Sequence, residues 1–223
     1  MAYFPSTSNS TGRWSLMEIR NEIMGQNWPG PAFIGTNAIF GFGYSTSNVN
    51  IITRFDNTGT YVGSQENAGT ARYQLAAATY GRNKAIFGFG YTSSNSNTIT
   101  RFDNNGTYVG SETTAGSLRR ALAAASYGGD KAIFGFGGST SNVNIITRFD
   151  NNGNYVYPEV NAGTSRKFLA AATYDEDKAI FGFGEDNGTN LNTITKFDNT
   201  GNFISPETTA GTARSYLAAA SYG

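Results

Sequence analysis

The sequence predicts an all-β protein in which one four-stranded unit occurs four times, the arrangement of a four-bladed β-propeller. The main observation is a repeat: the segment Ala-Ile-Phe-Gly-Phe-Gly begins at Ala38, Ala85, Ala132 and Ala179, a spacing of 47 residues each time. A second observation is composition, because 28 Gly, 13 Tyr and 16 Phe among 223 residues favour short strands and tight turns. We therefore expect residues 38–223 to form the propeller and residues 1–37 to form an N-terminal anchor segment with a short helix.

Each repeat contains four candidate strands, which the second copy illustrates. Residues 85–90 form an apolar strand ending in glycine, and residues 97–102 alternate apolar and polar side chains as a half-buried strand does. The turn Asp-Asn-Asn-Gly, starting at Asp103, then leads to a short outer strand at residues 107–109. Residues 122–127, Leu-Ala-Ala-Ala-Ser-Tyr, are expected innermost, because small side chains suit the crowded axis of a propeller.

The strand count predicts how the ring closes. The first repeat begins without an inner strand, whereas the last inner strand, residues 217–222, has no repeat after it. We favour a closed four-bladed monomer in which this C-terminal strand closes blade one, because closure leaves no exposed edge. Two chains forming one eight-bladed ring is the alternative. Residues 32–34 could also pair with blade one and leave the C-terminal strand for another chain.

The N-terminal segment has the apolar periodicity of a short helix at about residues 15–24. Its apolar face could dock the propeller onto another protein or pack on the propeller's own underside. We favour docking, because the propeller is complete without the helix. The predicted docking residues are Trp14, Leu16, Ile19, Ile23 and Trp28.

Composition argues against several classes of function. The chain has no His and no Cys, so it lacks the commonest general base near neutral pH and the usual ligands of zinc, copper and haem. Its 16 basic and 16 acidic residues give no net charge, which disfavours nucleic-acid binding, and no apolar run is long enough to cross a membrane. We expect no enzyme, no cofactor and no metal, although the asymmetric acids Glu185 and Asp186 leave glycosidase chemistry open.

Two sets of charged residues recur in every repeat. The aspartates that begin the Asp-Asn-X-Gly turns suit turn chemistry better than calcium binding, which needs more carboxylates. The arginines could clamp an anionic sugar or phosphate. A position held in all repeats is more simply explained as a structural ring, in which each Arg bonds loop carbonyls or a repeated carboxylate. The arginines are Arg72, Arg119, Arg166 and Arg214, and the carboxylates are Glu112, Glu159 and Glu207, with Gln65 in the first repeat.

One face of the predicted propeller varies between repeats. Strand direction alternates within a blade, so the loop after the Gly-Phe-Gly strand and the loop after the repeated Arg share a face. Variation on a constant scaffold is typical of a recognition surface, and drift in exposed loops is the simpler alternative. The candidate ligand-binding residues on this face are Tyr44, Tyr73, Tyr91, Arg120, Lys167 and Glu185.

The repeat resembles the kelch repeat, in which an Arg precedes a small-residue strand, an aliphatic strand ends in glycines and a further strand ends in aromatic-Asp. Residues 119–137 and 144–150 carry this pattern in the order Arg-Arg-Ala-Leu-Ala-Ala-Ala-Ser-Tyr-Gly-Gly-Asp-Lys-Ala-Ile-Phe-Gly-Phe-Gly and Asn-Ile-Ile-Thr-Arg-Phe-Asp. The sequence departs from kelch in having Gly-Phe-Gly for the glycine doublet. It also replaces the late Trp by Tyr61, Tyr108, Tyr155 and Phe203, so the resemblance is to a kelch-like propeller.

The N-terminus resembles the start of many tailed-bacteriophage structural proteins, which often continue into glycine-rich kelch-like repeats. The resemblance rests on Arg-Trp-Ser-Leu at residues 13–16 and Asn-Trp-Pro at residues 27–29, which flank the predicted helix. It implies a non-catalytic virion protein of the tail or head fibre type. Its partners would be other virion proteins, further copies of the chain and a host-surface glycan or protein. The alternative is a soluble lectin that binds sugars with Tyr44, Tyr91 and neighbouring Asn side chains.

Overall fold

The computed structural model describes residues 37–222, and within that range every helix or strand is a β-strand. The described residues belong to one compact unit that begins at Gly35. Among the described residues all strand pairs are antiparallel, and apart from one two-stranded hairpin they form four successive sheets that follow the sequence repeat. The all-β class predicted from the sequence is therefore correct for this part of the chain.

The four sheets are numbered in chain order. Sheet 1 contains β1 (Ala38–Tyr44), β2 (Asn48–Phe55) and β3 (Glu66–Asn67), in that order. Sheet 2 contains β4 (Ala76–Tyr80), β5 (Lys84–Gly88), β6 (Ser96–Phe102) and β7 (Thr113–Arg119). Sheet 3 contains β8 (Ala123–Tyr127), β9 (Lys131–Gly135), β10 (Ile145–Phe149) and β11 (Tyr155–Asn161). Sheet 4 contains β12 (Ala170–Tyr174), β13 (Lys178–Gly182), β16 (Thr193–Phe197) and β17 (Phe203–Thr209), with a small hairpin of β14 (Glu185–Asp186) and β15 (Thr189–Asn190) beside it.

The Ala-rich strands lie at one edge of their sheets and stack on one another. β4, β8 and β12 are the first strands of sheets 2, 3 and 4, and β8 packs between the other two. The hydroxyl of Ser126 in β8 donates to the carbonyl of Thr79 in β4 (2.9 Å), and Thr173 in β12 donates to the carbonyl of Ser126 (3.1 Å). Small side chains let these strands approach closely, as the sequence predicted.

The outer strands differ from the prediction in one respect. In sheet 2 the expected strand at residues 107–109 is reduced to one bridge between Phe102 and Tyr108, and the longer strand β7 follows it. The cause is Gly110, whose φ of +76° interrupts the extended backbone. In sheet 3 the equivalent residue is Tyr157, and β11 runs through it.

The predicted closure of the ring is not formed in the described residues. Sheet 1 has three strands, and residues 217–222 contain no strand. This segment lies beside β12, where the hydroxyl of Ser221 donates to the carbonyl of Thr173 (2.6 Å). This contact repeats the stacking of β12 on β8, in which the Thr173 hydroxyl donates to the carbonyl of Ser126.

Candidate functional site

A buried arginine joins each pair of neighbouring sheets, and Arg119 between sheets 2 and 3 is representative. Its side chain is 0% exposed, with Nη1 donating to Glu159 Oε1 (2.8 Å) and Nη2 donating to Thr147 Oγ1 (2.6 Å), both in sheet 3. Its guanidinium carbon lies 4.0 Å from the ring centre of Phe89 in sheet 2, within the range of a cation–π contact. Arg119 therefore bonds to the following sheet and packs on the preceding one.

The same arrangement occurs at the other two junctions. Each Arg is 0% exposed, pairs with a Glu and a Thr of the following sheet, and covers a Phe of the preceding sheet. These guanidinium groups are buried and each is already paired with a carboxylate, so the structural role suggested by the sequence fits these positions. The sets are Arg72 with Glu112 (3.0 Å), Thr100 (2.7 Å) and Phe42 (4.3 Å), and Arg166 with Glu207 (3.1 Å), Thr195 (2.6 Å) and Phe136 (3.9 Å).

Arg214 is the exception among the four repeated arginines. It lies 3.7 Å from the ring centre of Phe183, as its equivalents lie on theirs. It is exposed, and its hydrogen bond from Nη1 goes to the carbonyl of Thr212 (3.1 Å). Among the described residues, no Glu carboxylate or Thr hydroxyl bonds its guanidinium.

The junction glutamates are held in their charged form. Burial by itself would raise the pKa of Glu159, but hydrogen bonds from Thr147, Ser117 and Arg119 outweigh it and hold that pKa below its ordinary value. The pKa values of Glu112 and Glu207 are lowered in the same way, against the effect of burial. Each glutamate also accepts from the preceding sheet: Glu159 Oε2 accepts from the backbone N–H (2.9 Å) and hydroxyl (2.7 Å) of Ser117.

Stability should therefore fall in acid. A carboxyl whose pKa is lowered by folding contributes stability above its unfolded pKa, near 4.5, and this is lost as the pH falls through the folded pKa. We expect the urea midpoint to be nearly constant from about pH 7 to 5 and to drop below about pH 4.5. The triple variant Glu112→Gln, Glu159→Gln and Glu207→Gln should be less stable at neutral pH and show a shallower acid decline. An unchanged decline would assign the acid sensitivity to other groups.

The structure places the six candidate face residues in a row of two parts, and Gly138, which pairs with the Arg120 backbone and lies against the Lys167 side chain, stands between the parts. The ring centres of Tyr44 and Tyr73 are 5.5 Å apart, those of Tyr73 and Tyr91 are 5.6 Å apart, and the Arg120 guanidinium lies 4.4 Å from the Tyr91 ring. Tyr73 and Tyr91 also exchange backbone hydrogen bonds of 3.1 and 2.8 Å. The first part of the row is thus an aromatic ladder that crosses from sheet 1 towards sheet 3.

The second part of the row is ionic. The backbones of Lys167 and Glu185 are paired, and Lys167 Nζ lies 3.5 Å from Glu185 Oε1. Asp186 Oδ1 accepts a hydrogen bond from Asn142 Nδ2 (2.9 Å). Both acids that break the repeat symmetry are therefore engaged with neighbouring sheets.

The sequence did not identify two components of the junctions. One is the threonine that bonds each arginine. The other is which phenylalanines pair across the sheets: burial of Phe side chains between neighbouring sheets is expected from the repeat, but the pair Phe89 and Phe134, at 5.5 Å, is not. Both occupy a constant position in every repeat, which marks them as scaffold but does not say which residues they contact. The repeat therefore showed that these positions are structural, but it did not show which residues they contact.

The recurrent turn aspartates act within their own turns. Asp56 Oδ1 accepts from the hydroxyl of Thr58 (2.7 Å) and from the backbone N–H groups of Thr58 and Thr60 (2.9 Å each). The Thr58 hydroxyl is the largest of the effects that lower the pKa of Asp56. Within residues 37–222 no group of three His, Cys, Asp or Glu side chains is placed to hold a metal ion. The same residues contain no helix long and apolar enough to cross a bilayer.

The predicted docking residues Trp14, Leu16, Ile19, Ile23 and Trp28 lie outside the described residues, as does the helix predicted around them. Comparison of the chain with protein-family models and with curated proteins gave no match. A functional proposal must therefore rest on the repeated sheets, their junctions and the variable face.

Proposed function

We propose that this chain is a non-catalytic structural and adhesion protein of a tailed-phage virion. In this proposal the four sheets are blades of a kelch-like β-propeller displayed as an interaction module, and residues 1–37 dock to the particle. The proposal keeps the propeller but not its closure by the chain's own C-terminal segment, because residues 217–222 form no strand and are not paired with β1. The virion assignment is supported by the N-terminal resemblance and by the repeat pattern that follows it.

The observation that carries the adhesion role is the contrast between a constant interior and one variable face. Arg, Thr and Glu recur with the same contacts at three successive junctions. By contrast, one equivalent face position holds Tyr44, Tyr91, Gly138 and Glu185 in the four repeats. A rigid scaffold that carries chemically different side chains at equivalent points is the arrangement expected of a recognition surface.

Immunogold electron microscopy of the phage tests the virion role. Antibody to the full chain should label intact particles. The substitutions Leu16→Asp and Ile19→Asp together should remove the label from particles while the soluble chain keeps its unfolding midpoint. Tyr157→Asp is the matched control, because Tyr157 is 80% exposed on the described unit and should leave labelling unchanged. Free protein in the lysate with unlabelled particles would overturn the proposal.

A soluble lectin is the second candidate, and the aromatic ladder is the observation that favours it. Tyr44 is 65% exposed, and the face of a tyrosine ring can stack on a sugar. The full chain can be applied to a glycan array beside Tyr44→Ala and Tyr91→Ala, with Tyr61→Ala as a control on an exposed tyrosine in another loop. Ladder-dependent glycan binding by a chain that is absent from particles would favour the lectin over the virion protein.

A further inference from the structure

Three contacts recur at every junction between sheets. A Phe of the following sheet packs on a Gly and a Phe of the preceding sheet, as Phe134 packs against Gly88 and Phe89. The preceding Arg bonds a Thr and a Glu of the following sheet. The inner strand of the following sheet stacks on the previous inner strand and pairs with its own Gly-Phe-Gly strand. Together these contacts define the junction motif.

Sheet 1 has the residues that contact a preceding sheet and an inner strand in this motif, which we call the receiving half. Among the described residues, no such sheet or strand contacts them. Phe40 is 64% exposed, whereas its equivalents Phe87, Phe134 and Phe181 are 5%, 0% and 0% exposed. Ala38, the residue of β1 equivalent to the buried Ala132 of β9, is also exposed. Thr53 stands at the position that receives the arginine in the later sheets, with Gln65 at the position of the junction glutamate.

The C-terminal end has the other half of the junction motif, which is the Arg, the Gly-Phe surface and the inner strand. Arg214 lies on Phe183, exposed and without a carboxylate partner in the described residues. A Cβ built on Gly182 would meet Ile194 but no Phe, whereas those on Gly88 and Gly135 would meet Phe134 and Phe181 of the next sheet. The residues of an inner strand follow: Ala218–Ser221 are exposed and are paired with no strand among the described residues.

We infer that the C-terminal end of one copy completes sheet 1 of a second copy of this chain. The register of β8 on β9 pairs Ser126 with Ala132 and Ala123 with Gly135. If the equivalent residues of the other repeats pair in the same register, Ser221 pairs with Ala38 and Ala218 pairs with Gly41 of the second copy. Phe40 then packs on Gly182 and Phe183, and Arg214 donates to Thr53 and Gln65.

The occupant is a second copy because the two halves have the same repeat sequence but do not meet among the described residues of one chain. Residues 217–222 are fixed beside β12 by Ser221 and by the backbone bond from Tyr216 to Phe168 (2.9 Å), and they are not paired with β1. Such a contact uses different surfaces on the two copies, so repeating it closes a ring or grows a filament. Two copies would give eight sheets, within the range of about four to eight blades known for propellers. The inference does not require the virion role.

Gln65 makes this junction distinct from the three internal ones. A neutral amide replaces the carboxylate that Arg72, Arg119 and Arg166 meet, so the bond from Arg214 lacks charge assistance on the acceptor side. Gln65→Glu should therefore tighten self-association, by about tenfold. Phe40→Asp and Arg214→Glu should weaken it, and Gln65→Arg should restore association to the Arg214→Glu chain.

Sedimentation of the full chain over a range of concentrations measures these effects. The expected result is a concentration-dependent mass of two copies, with the four variants shifting the dissociation constant as stated. A single-copy mass at all concentrations would overturn the inference, and so would a dimer insensitive to these variants. Assemblies larger than two copies would overturn the eight-sheet ring.

Cysteine pairing separates contact between copies from closure within one copy, since the natural chain has no Cys. A chain with Ala38→Cys is mixed with a chain with Ser221→Cys and oxidised. Covalent heterodimers are expected, with Ser126→Cys and Ala132→Cys in one chain as the reference for yield. Ala38→Cys mixed with Ala218→Cys is the register control and should give little product. A double variant, Ala38→Cys with Ser221→Cys, that forms only an internal bridge would overturn the inference in favour of closure within one chain.

Discussion

Replacing Arg119 by methionine is expected to lower the free energy of unfolding by about 3–5 kcal/mol, the range typical of removing one partner of a buried ion pair. Methionine fills most of the volume, so the loss comes from the charge and its hydrogen bonds. Glu159 would keep its partly buried carboxylate without the guanidinium, and Thr147 Oγ1 would lose a donor. The contact with the Phe89 ring would lose its cation as well. Urea unfolding followed by circular dichroism measures the change.

Arg214→Met is the matched control for that experiment. Arg214 occupies the same repeat position and covers Phe183 in the same way, but it is exposed and bonds no Glu carboxylate or Thr hydroxyl among the described residues. Its replacement should cost less than about 1 kcal/mol when measured at concentrations where the chain is a single copy. Equal losses in the two variants would show that the arginine acts through the phenylalanine contact alone and that the Glu–Thr partners contribute little.

The ion pair itself can be separated from the cost of an unpaired charge. Adding Glu159→Gln to Arg119→Met removes the carboxylate that the first substitution leaves without its cation. If most of the stability lost in Arg119→Met comes from leaving the Glu159 carboxylate unpaired, the double variant should recover part of that loss. If the double variant loses further stability, Glu159 has an independent role through its bonds to Ser117 and Thr147.

The repeat made the class of fold and the composition of the sheets predictable from sequence. Alternation at residues 97–102 and small residues at 122–127 follow from local rules, and β6 (Ser96–Phe102) and β8 (Ala123–Tyr127) lie there. The outer strand of sheet 2 was misplaced because Gly110 could extend or interrupt a strand, and its positive φ is a property of the folded backbone.

Closure of the ring was harder to predict for a different reason. A sequence period says that successive sheets are equivalent, but it does not give the angle between them. That angle depends on how Phe134 packs on Gly88 and Phe89, and on the distance that Arg119 spans to Glu159. The row of face residues was likewise predictable as a shared surface, whereas the direct stacking of Arg120 on Tyr91 depends on the packing of sheet 3 on sheet 2.

Replacing Phe134 by alanine is expected to cost about 3–5 kcal/mol, as for other fully buried phenylalanines. Its ring is 0% exposed and lies 5.5 Å from Phe89 across the junction and 5.5 Å from Phe149 within its own sheet. Gly88 cannot fill the resulting cavity, because it has no side chain, and β9 is fixed between β8 and β10. The change in unfolding free energy in urea measures the loss.

Phe40→Ala tests whether this cost comes from the junction or from the strand. Phe40 has the same sequence neighbours and the same edge contact within its sheet, 5.7 Å to Phe55, but no sheet covers its other side among the described residues. In dilute solution, where the chain is a single copy, its loss should cost about 1 kcal/mol or less. At concentrations that favour two copies, the same substitution should become more costly, because Phe40 is then buried against Gly182 and Phe183 of the partner. A cost near that of Phe134→Ala at every concentration would mean that Phe40 is already covered within its own chain, and the receiving half of the junction motif would not be open.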